Sequence, residues 1–188
     1  DFSGTVVDYG TEPDQKFPAG AAWTLRDVKR TLAAASPRAG LEGSLYAGLE
    51  RVTEHLIARE WRRDDGAMVR VSRLLVDANW GSSTDVVYQF CRETKHAGTV
   101  MPSHGRYVGA SSVPFSDYKR RRGERVGLNW RIPTVSGKRA VRHVTFDTNF
   151  WKSFVHARLA VPHGDPGSLS LFGRDSRAHE VFAAHLTS

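Results

Sequence analysis

Three short apolar runs in this chain each stop at an aspartate: Thr5-Val6-Val7-Asp8, Leu74-Leu75-Val76-Asp77 and Val144-Thr145-Phe146-Asp147. β-Branched and aromatic residues suit a pleated, half-buried surface, so each run reads as a strand. Between the runs the apolar spacing changes to that of helices. From Ser44 to Trp61, the residues Leu45, Leu49, Val52, Leu56 and Trp61 recur at intervals of three to five, one stripe of a helix lying on a core. Further helices are expected at about 23–35, 83–96, 149–160 and 176–186. Strands interleaved with amphipathic helices give an α/β domain with a mixed sheet.

The remaining strands are less regular. Gly4 to Gly10 reads as one strand, and 11–22, with Pro13, Pro18 and Gly20, as a loop. Asp64-Asp65-Gly66 should turn the chain into a single strand from Met68 to Asp77, whose continuous apolar end is the pattern of a central strand. Ser82 or Ser83 is placed to cap the helix that follows. Val100-Met101 reads as a short strand and 102–125 as irregular. Val126–Ile132 and Val141–Phe146 read as two strands joined by residues 133–138, and Ser168–Phe172 as a last short strand.

Composition narrows the function classes. With 188 residues the chain is expected to be one domain with a core large enough to need no staples. Cys91 is the single cysteine, which excludes an intrachain disulfide framework; with one Cys and no H-x-x-x-H or H-E-x-x-H spacing among the eight histidines, no zinc site is expected. No stretch approaches 18 consecutive apolar residues, and Asp1-Phe2-Ser3-Gly4 is not the start of a secretory leader. Lys and Arg number 27 against 20 Asp and Glu, a net charge of +7, which directs attention to a polyanionic partner.

The strand-end aspartates are the first candidates for chemistry. Ligands of open α/β sheets gather beyond the carboxyl ends of strands, where hard oxygen donors can hold Mg²⁺. Two such ions about 3.5–4 Å apart activate water and stabilise the leaving oxygen of a phosphodiester. The competing role for each aspartate is a turn former or helix N-cap. That role suits Asp8 and Asp147 well; Asp77 less so, because Asn79, Gly81 and Ser82 already supply turn and cap chemistry. Lys119, Arg120, Arg121, Arg122 and Arg125 put five cations within seven residues, either a solvated loop or a track for a phosphate backbone, with Tyr107, Tyr118 and Trp130 nearby. Lys152 could meet phosphate or lie along its helix. Neither G-x-x-x-x-G-K-[ST] nor G-x-G-x-x-G occurs, so no nucleotide site is expected in this segment. There is likewise no G-x-S-x-G elbow and no H-E-x-x-H.

Four blocks in order resemble the C-terminal nuclease domain of GpA-type large terminase subunits of tailed phages. They are Val6 to Thr11, Leu75 to Trp80 with Val87 to Arg92, Phe146 to Lys152, and His179 to Ser188. The resemblance implies an RNase H-like fold that cuts concatemeric double-stranded DNA with Mg²⁺ or Mn²⁺, two ions in the intact domain. It also implies an upstream ATPase motor, partnership with the small terminase subunit and the portal, and a location in the cytoplasm of the infected or lysogenic bacterial host. Carried over by position, Asp77 matches the family's strand-end metal ligand. Asp147 and Lys152 match a block with a supporting role, Asp147 as a second candidate ligand. Asp8 matches a structural position, and the 119–125 run would face DNA. The family's first-strand acid and a later helical acid have no counterpart here, so the resemblance implies a domain lacking its first strand and last helix, and a 188-residue piece with little or no cleavage of its own. Two other readings compete: a non-cleaving module that grips DNA or docks on the portal, and a transposase- or resolvase-type nuclease of the same fold.

Overall fold

The computed structural model describes residues 2–15, 29–109, 112–137 and 140–187. In chain order the elements are β1 (Gly4–Val6), α1 (Leu32–Ala35), α2 (Gly40–Ala58), β2 (Glu60–Arg62), β3 (Met68–Arg70), β4 (Leu74–Asp77), α3 (Thr84–Glu93), β5 (Val100–Arg106), β6 (Arg125–Gly127), β7 (Trp130–Ile132), β8 (Val144–Asp147), α4 (Thr148–Leu159), β9 (Leu169–Leu171) and α5 (Glu180–Thr187). Single 3-10 turns occur at Gly81–Ser83, Phe115–Asp117 and Ser176–His179. The chain folds as two compact units, Asp1–Arg51 with Arg158–Ser188, and Val52–Ala157.

In the first unit, β1 pairs in parallel with β9, and Thr5 Oγ1 lies 2.9 Å from Ser170 Oγ across the pair. Tyr9 stacks on Phe182 with ring centroids 4.5 Å apart. Its hydroxyl donates to the Ala178 carbonyl at 2.9 Å and lies 2.7 Å from His179 Nδ1, while His179 Nε2 donates to the Phe172 carbonyl at 2.8 Å. A polar tip with several partners and an apolar ring face makes this tyrosine the pin between the first strand and the last helix.

The second unit carries the sheet. Among the described residues its strand order is β4-β5-β8-β7-β6, with β4, β5 and β8 parallel and β8, β7 and β6 antiparallel. Parallel neighbours need a crossover, and α3 supplies the one between β4 and β5. Its inward stripe, Val86, Val87, Phe90 and Cys91, is buried, with Phe90 wholly out of solvent. Truncating a side chain so enclosed costs about 3–5 kcal/mol. Ala78, Val100, Phe115 and Val144 are the other buried apolar residues of this unit among those described.

The mixed sheet flanked by helices is the expected class; several boundaries differ. α2 ends at Ala58, and Trp61 lies in β2, because β2 and β3 form a hairpin around the Asp64-Asp65-Gly66 turn, where Gly66 has φ 84°. The expected strand from Met68 to Asp77 is therefore two, β3 and β4. Among the described residues β4 is an edge strand, with Leu75 and Asp77 exposed, and not a central one. The 102–125 segment begins with ordered strand: β5 runs on through Pro102, Ser103, His104 and Gly105 to Arg106. Val126–Ile132 is a hairpin, not one strand, since Asn129 takes the left-handed φ of 51° and reverses the chain between β6 and β7. Ser83 occupies the cap position of α3 without a side-chain cap bond, and is itself the last residue of the 3-10 turn Gly81–Ser83. Of the helix expected over 23–35, the residues before 29 lie outside the described set, and Leu32–Ala35 is helical.

Candidate active site

Asp77 closes β4 with its side chain exposed. Its Oδ1 accepts the Asn79 N–H at 3.1 Å, an Asx turn that fixes the carboxylate relative to its own backbone. Asn79 is tied down in turn. Its Nδ2 donates to the Gly105 carbonyl at 2.7 Å, and its Oδ1 lies 2.8 Å from His104 Nδ1. With Asn79 Nδ2 as a donor, Oδ1 is the acceptor, so His104 carries its proton on Nδ1. Nε2 of the same ring lies 2.7 Å from the Tyr88 hydroxyl. Burial raises the Tyr88 pKa, with the nearby Cys91 adding to the effect. The chain Tyr88–His104–Asn79–Asp77 thus runs from α3 across β5 to the end of β4. Ala78, almost wholly buried, anchors the same turn by donating to the Ser103 carbonyl at 2.9 Å, while its own carbonyl accepts from Thr84 Oγ1 at 2.7 Å.

Asp147 closes β8 and is buried, 9% exposed. Its Oδ1 accepts the N–H groups of Asn149 at 2.9 Å and Phe150 at 3.2 Å, which makes it the N-cap of α4. Asp77 and Asp147 lie at the same end of the parallel strands but are not brought together. Asp77 pairs with Ser103 and Asp147 with Arg106, so their registers on β5 differ by three residues, an odd number that points them to opposite faces. Two strand spacings of ~4.8 Å and three residues of ~3.3 Å separate their Cα atoms by about 14 Å. Lys152, exposed on α4, follows Asp147 by a little over one turn.

The basic run is a built loop. Lys119, Arg120, Arg121, Arg122 and Arg125 are all exposed, whereas Glu124 among them is buried, 8% exposed. Glu124 Oε2 accepts the Arg121 N–H at 2.9 Å, and its carbonyl accepts from Arg120 Nε at 3.2 Å. Thr134 Oγ1 donates to the Arg122 carbonyl at 3.1 Å and Arg142 to that of Gly123 at 2.7 Å. The acid that dilutes the motif in sequence serves the loop's backbone, and the five cations lie exposed around it, Arg120 with its Nε held by the Glu124 carbonyl.

Among the described residues no group of three His, Cys, Asp or Glu side chains is placed to hold a metal ion. The donors present are the hard oxygens of Asp77. Mg²⁺ keeps most of its waters and takes one or two carboxylates, so Asp77 fits one position of such a site, and the described residues do not complete a two-ion set. Sequence reading missed the contribution of His104, Tyr88 and Asn79 because Pro102 and Gly105 disguise β5. The available signal was Asn79 two residues after Asp77, the spacing of an Asx turn.

Residues 46–188 match the family model described as terminase large subunit gpA, endonuclease domain. The match takes in Asp77, Asp147, Lys152 and the 119–125 loop, and leaves out Asp8. No curated protein and no solved structure matches the chain.

Proposed function

The chain belongs to the GpA-type terminase nuclease family, and from that membership we propose that the domain hydrolyses phosphodiester bonds of double-stranded DNA with the help of a divalent cation held by Asp77. Its mixed sheet with flanking helices is consistent with an RNase H-like fold. The observation that carries the proposal is the state of Asp77: exposed, at the carboxyl end of a parallel strand, and oriented by its Asx turn and by the His104–Asn79 bond. One N–H occupies one of about four lone-pair positions of an ionised carboxylate, so acceptor capacity remains for a cation. When bound, Mg²⁺ or Mn²⁺ supplies Lewis-acid stabilisation of the phosphoryl oxygens and lowers the pKa of water.

The other residues divide the remaining work. Lys119, Arg120, Arg121, Arg122 and Arg125 draw the duplex to the surface by displacing its counterions. Asp147 holds the first turn of α4 and through it the position of Lys152, a candidate cation for the substrate backbone; any ligand role for Asp147 falls to its second oxygen. In this reading one domain spans all 188 residues. Its partners are DNA, the small terminase subunit and the portal, and its setting is the cytoplasm of a bacterial host. Among the described residues no helix is long and apolar enough to cross a membrane.

The test is Asp77→Asn in the complete large subunit. Mn²⁺-dependent nicking of plasmid DNA should fall to background while the melting temperature and duplex affinity stay close to those of the unsubstituted protein. Undiminished nicking would remove Asp77 from the site. The incomplete ligand set among the described residues favours a second reading, a DNA-gripping module that does not cut. Under that reading the unsubstituted protein would bind duplex and never nick it.

A further inference from the structure

Outside the Asp77 turn, two arginines converge on one tyrosine. Arg106, the last residue of β5, donates from Nη1 to the Tyr118 hydroxyl at 2.7 Å. Arg131, in β7, lays its guanidinium over the ring of the same tyrosine, with Cζ 4.3 Å from the ring centroid. The sheet register explains the meeting. Arg131 pairs with Thr145 and Thr145 with His104, while His104 and Arg106 alternate along β5, so Arg131, Thr145, His104 and Arg106 share one face. Tyr118 immediately precedes the basic run, and its ring bridges the two cations.

The charge in this arrangement is unbalanced. Both guanidinium groups touch one ring, well inside the ~10 Å over which charges in 0.1 M salt still act on each other. Among the described residues neither forms an ion pair. The nearest acids by position are otherwise engaged: Asp147, paired with Arg106 across the sheet, gives Oδ1 to the first turn of α4, and Asp117 accepts from Ser116 Oγ at 2.9 Å. Arg131 Nε is buried and without a hydrogen-bond partner among the described residues, an uncommon condition for a donor. The field of Arg131 also reaches His143, whose pKa is pushed down first by burial, then by His104 and Arg131.

The geometry points to a phosphate cradle: Arg106 and Arg131, aligned by Tyr118, bind a phosphodiester of duplex DNA other than the one cut at Asp77. A planar fork of N–H donors matches two phosphate oxygens at once, and stacking on an aromatic face fixes the fork before the ligand arrives. Arg106 lies three residues beyond Ser103, the partner of Asp77, about 10 Å along β5 at ~3.3 Å per residue, and that odd offset turns its side chain to the face opposite Asp77. A cradle on the other face, at the same strand ends, serves a phosphate other than the scissile one. This inference rests on the nuclease reading for its position relative to the cut, but not for the binding itself.

The experiment is fluorescence anisotropy of a labelled duplex with the complete large subunit, without divalent ions, across a salt series. Arg106→Gln and Arg131→Gln should each weaken binding and flatten the slope of log affinity against log salt by about 0.9, the value of one lost phosphate contact. Arg131→Lys keeps the charge and loses fork and stack, so it should not restore affinity. Slopes equal to that of the unsubstituted protein in both Gln variants overturn the proposal. Should either variant fail to fold, phenylglyoxal footprinting of the unsubstituted protein decides: duplex should protect Arg106 and Arg131, and no protection overturns the cradle. Displacement of duplex by inorganic phosphate beyond its effect as salt would mark a small-anion site and overturn the DNA assignment. If Asp77→Asn still nicks while the Gln variants lose slope, the assignment of the cut to Asp77 falls and the cradle stands.

Discussion

Replacing Asp147 separates a structural carboxylate from a chemical one. Its Oδ1 satisfies two N–H groups at the start of α4, Asn149 and Phe150, from a position only 9% exposed. An N-cap lost to alanine costs about 0.5–2 kcal/mol, and partly buried donors left unpaired push toward the upper end. Asp147→Ala should therefore loosen the first turn of α4 by about 2 kcal/mol. Asn is as good a cap as Asp and retains an acceptor oxygen, so Asp147→Asn should lose only the charge–dipole part, about 0.3–1 kcal/mol. Native-state hydrogen exchange reads this locally, whatever the cooperativity between the two units of the chain. At 1.36 kcal/mol per tenfold, the Asn149 and Phe150 amides should exchange about 30-fold faster in the alanine variant and no more than about 5-fold faster in the asparagine variant. Equal, large acceleration in both would show that charge and not capping holds this turn. No acceleration in either would show that the cap bonds do not hold the turn in solution.

Two further outcomes follow from the packing. Burial pushes the Cys91 thiol from 9.0 up to about 12, so the folded state keeps a proton that the unfolded chain releases above about pH 9. The contribution is intact below that pH and is lost as pH rises toward 12, with a slope of at most about 1.4 kcal/mol per pH unit; urea titrations should show it, and Cys91→Ala should remove it. A thiol reagent at pH 8 should label Cys91 only on unfolding. Gly127 faces Trp130 across the β6–β7 hairpin, and a Cβ there would overlap the indole. Gly127→Ala should cost about 1–3 kcal/mol by overpacking, seen as a lower urea midpoint; an unchanged midpoint would mean the indole moves aside freely.

The elements legible in the sequence were those whose order depends on local spacing. The stripe of α2, the inward face of α3 and the Asp-terminated runs at β4 and β8 all report themselves through neighbours along the chain. What failed to show was what depends on partners far along it. Val126 to Ile132 has the composition of one strand, yet one left-handed residue, Asn129, folds it into a hairpin. Met68 to Asp77 has the pattern of a single strand, but its first half pairs with β2 and its second with β5. Pro102 and Gly105 discourage a strand reading, and β5 forms regardless because α3 and two parallel neighbours enclose it.

The same division holds at the site. Residue types alone read Asp77 as the aspartate least explained by turn or cap duty, whereas its Oδ1 does close an Asx turn with Asn79, and they placed five cations in one short run. Only tertiary structure showed that Asp147 caps a helix on the opposite face about 14 Å away, that Asp77 is steadied by Asn79 and His104, and that Arg106 and Arg131 meet on Tyr118. Periodicity fixes which side of its own element a residue occupies. Which residues share a face across a sheet follows from strand order and register, and those are set by pairing energies between segments that the linear chain keeps apart.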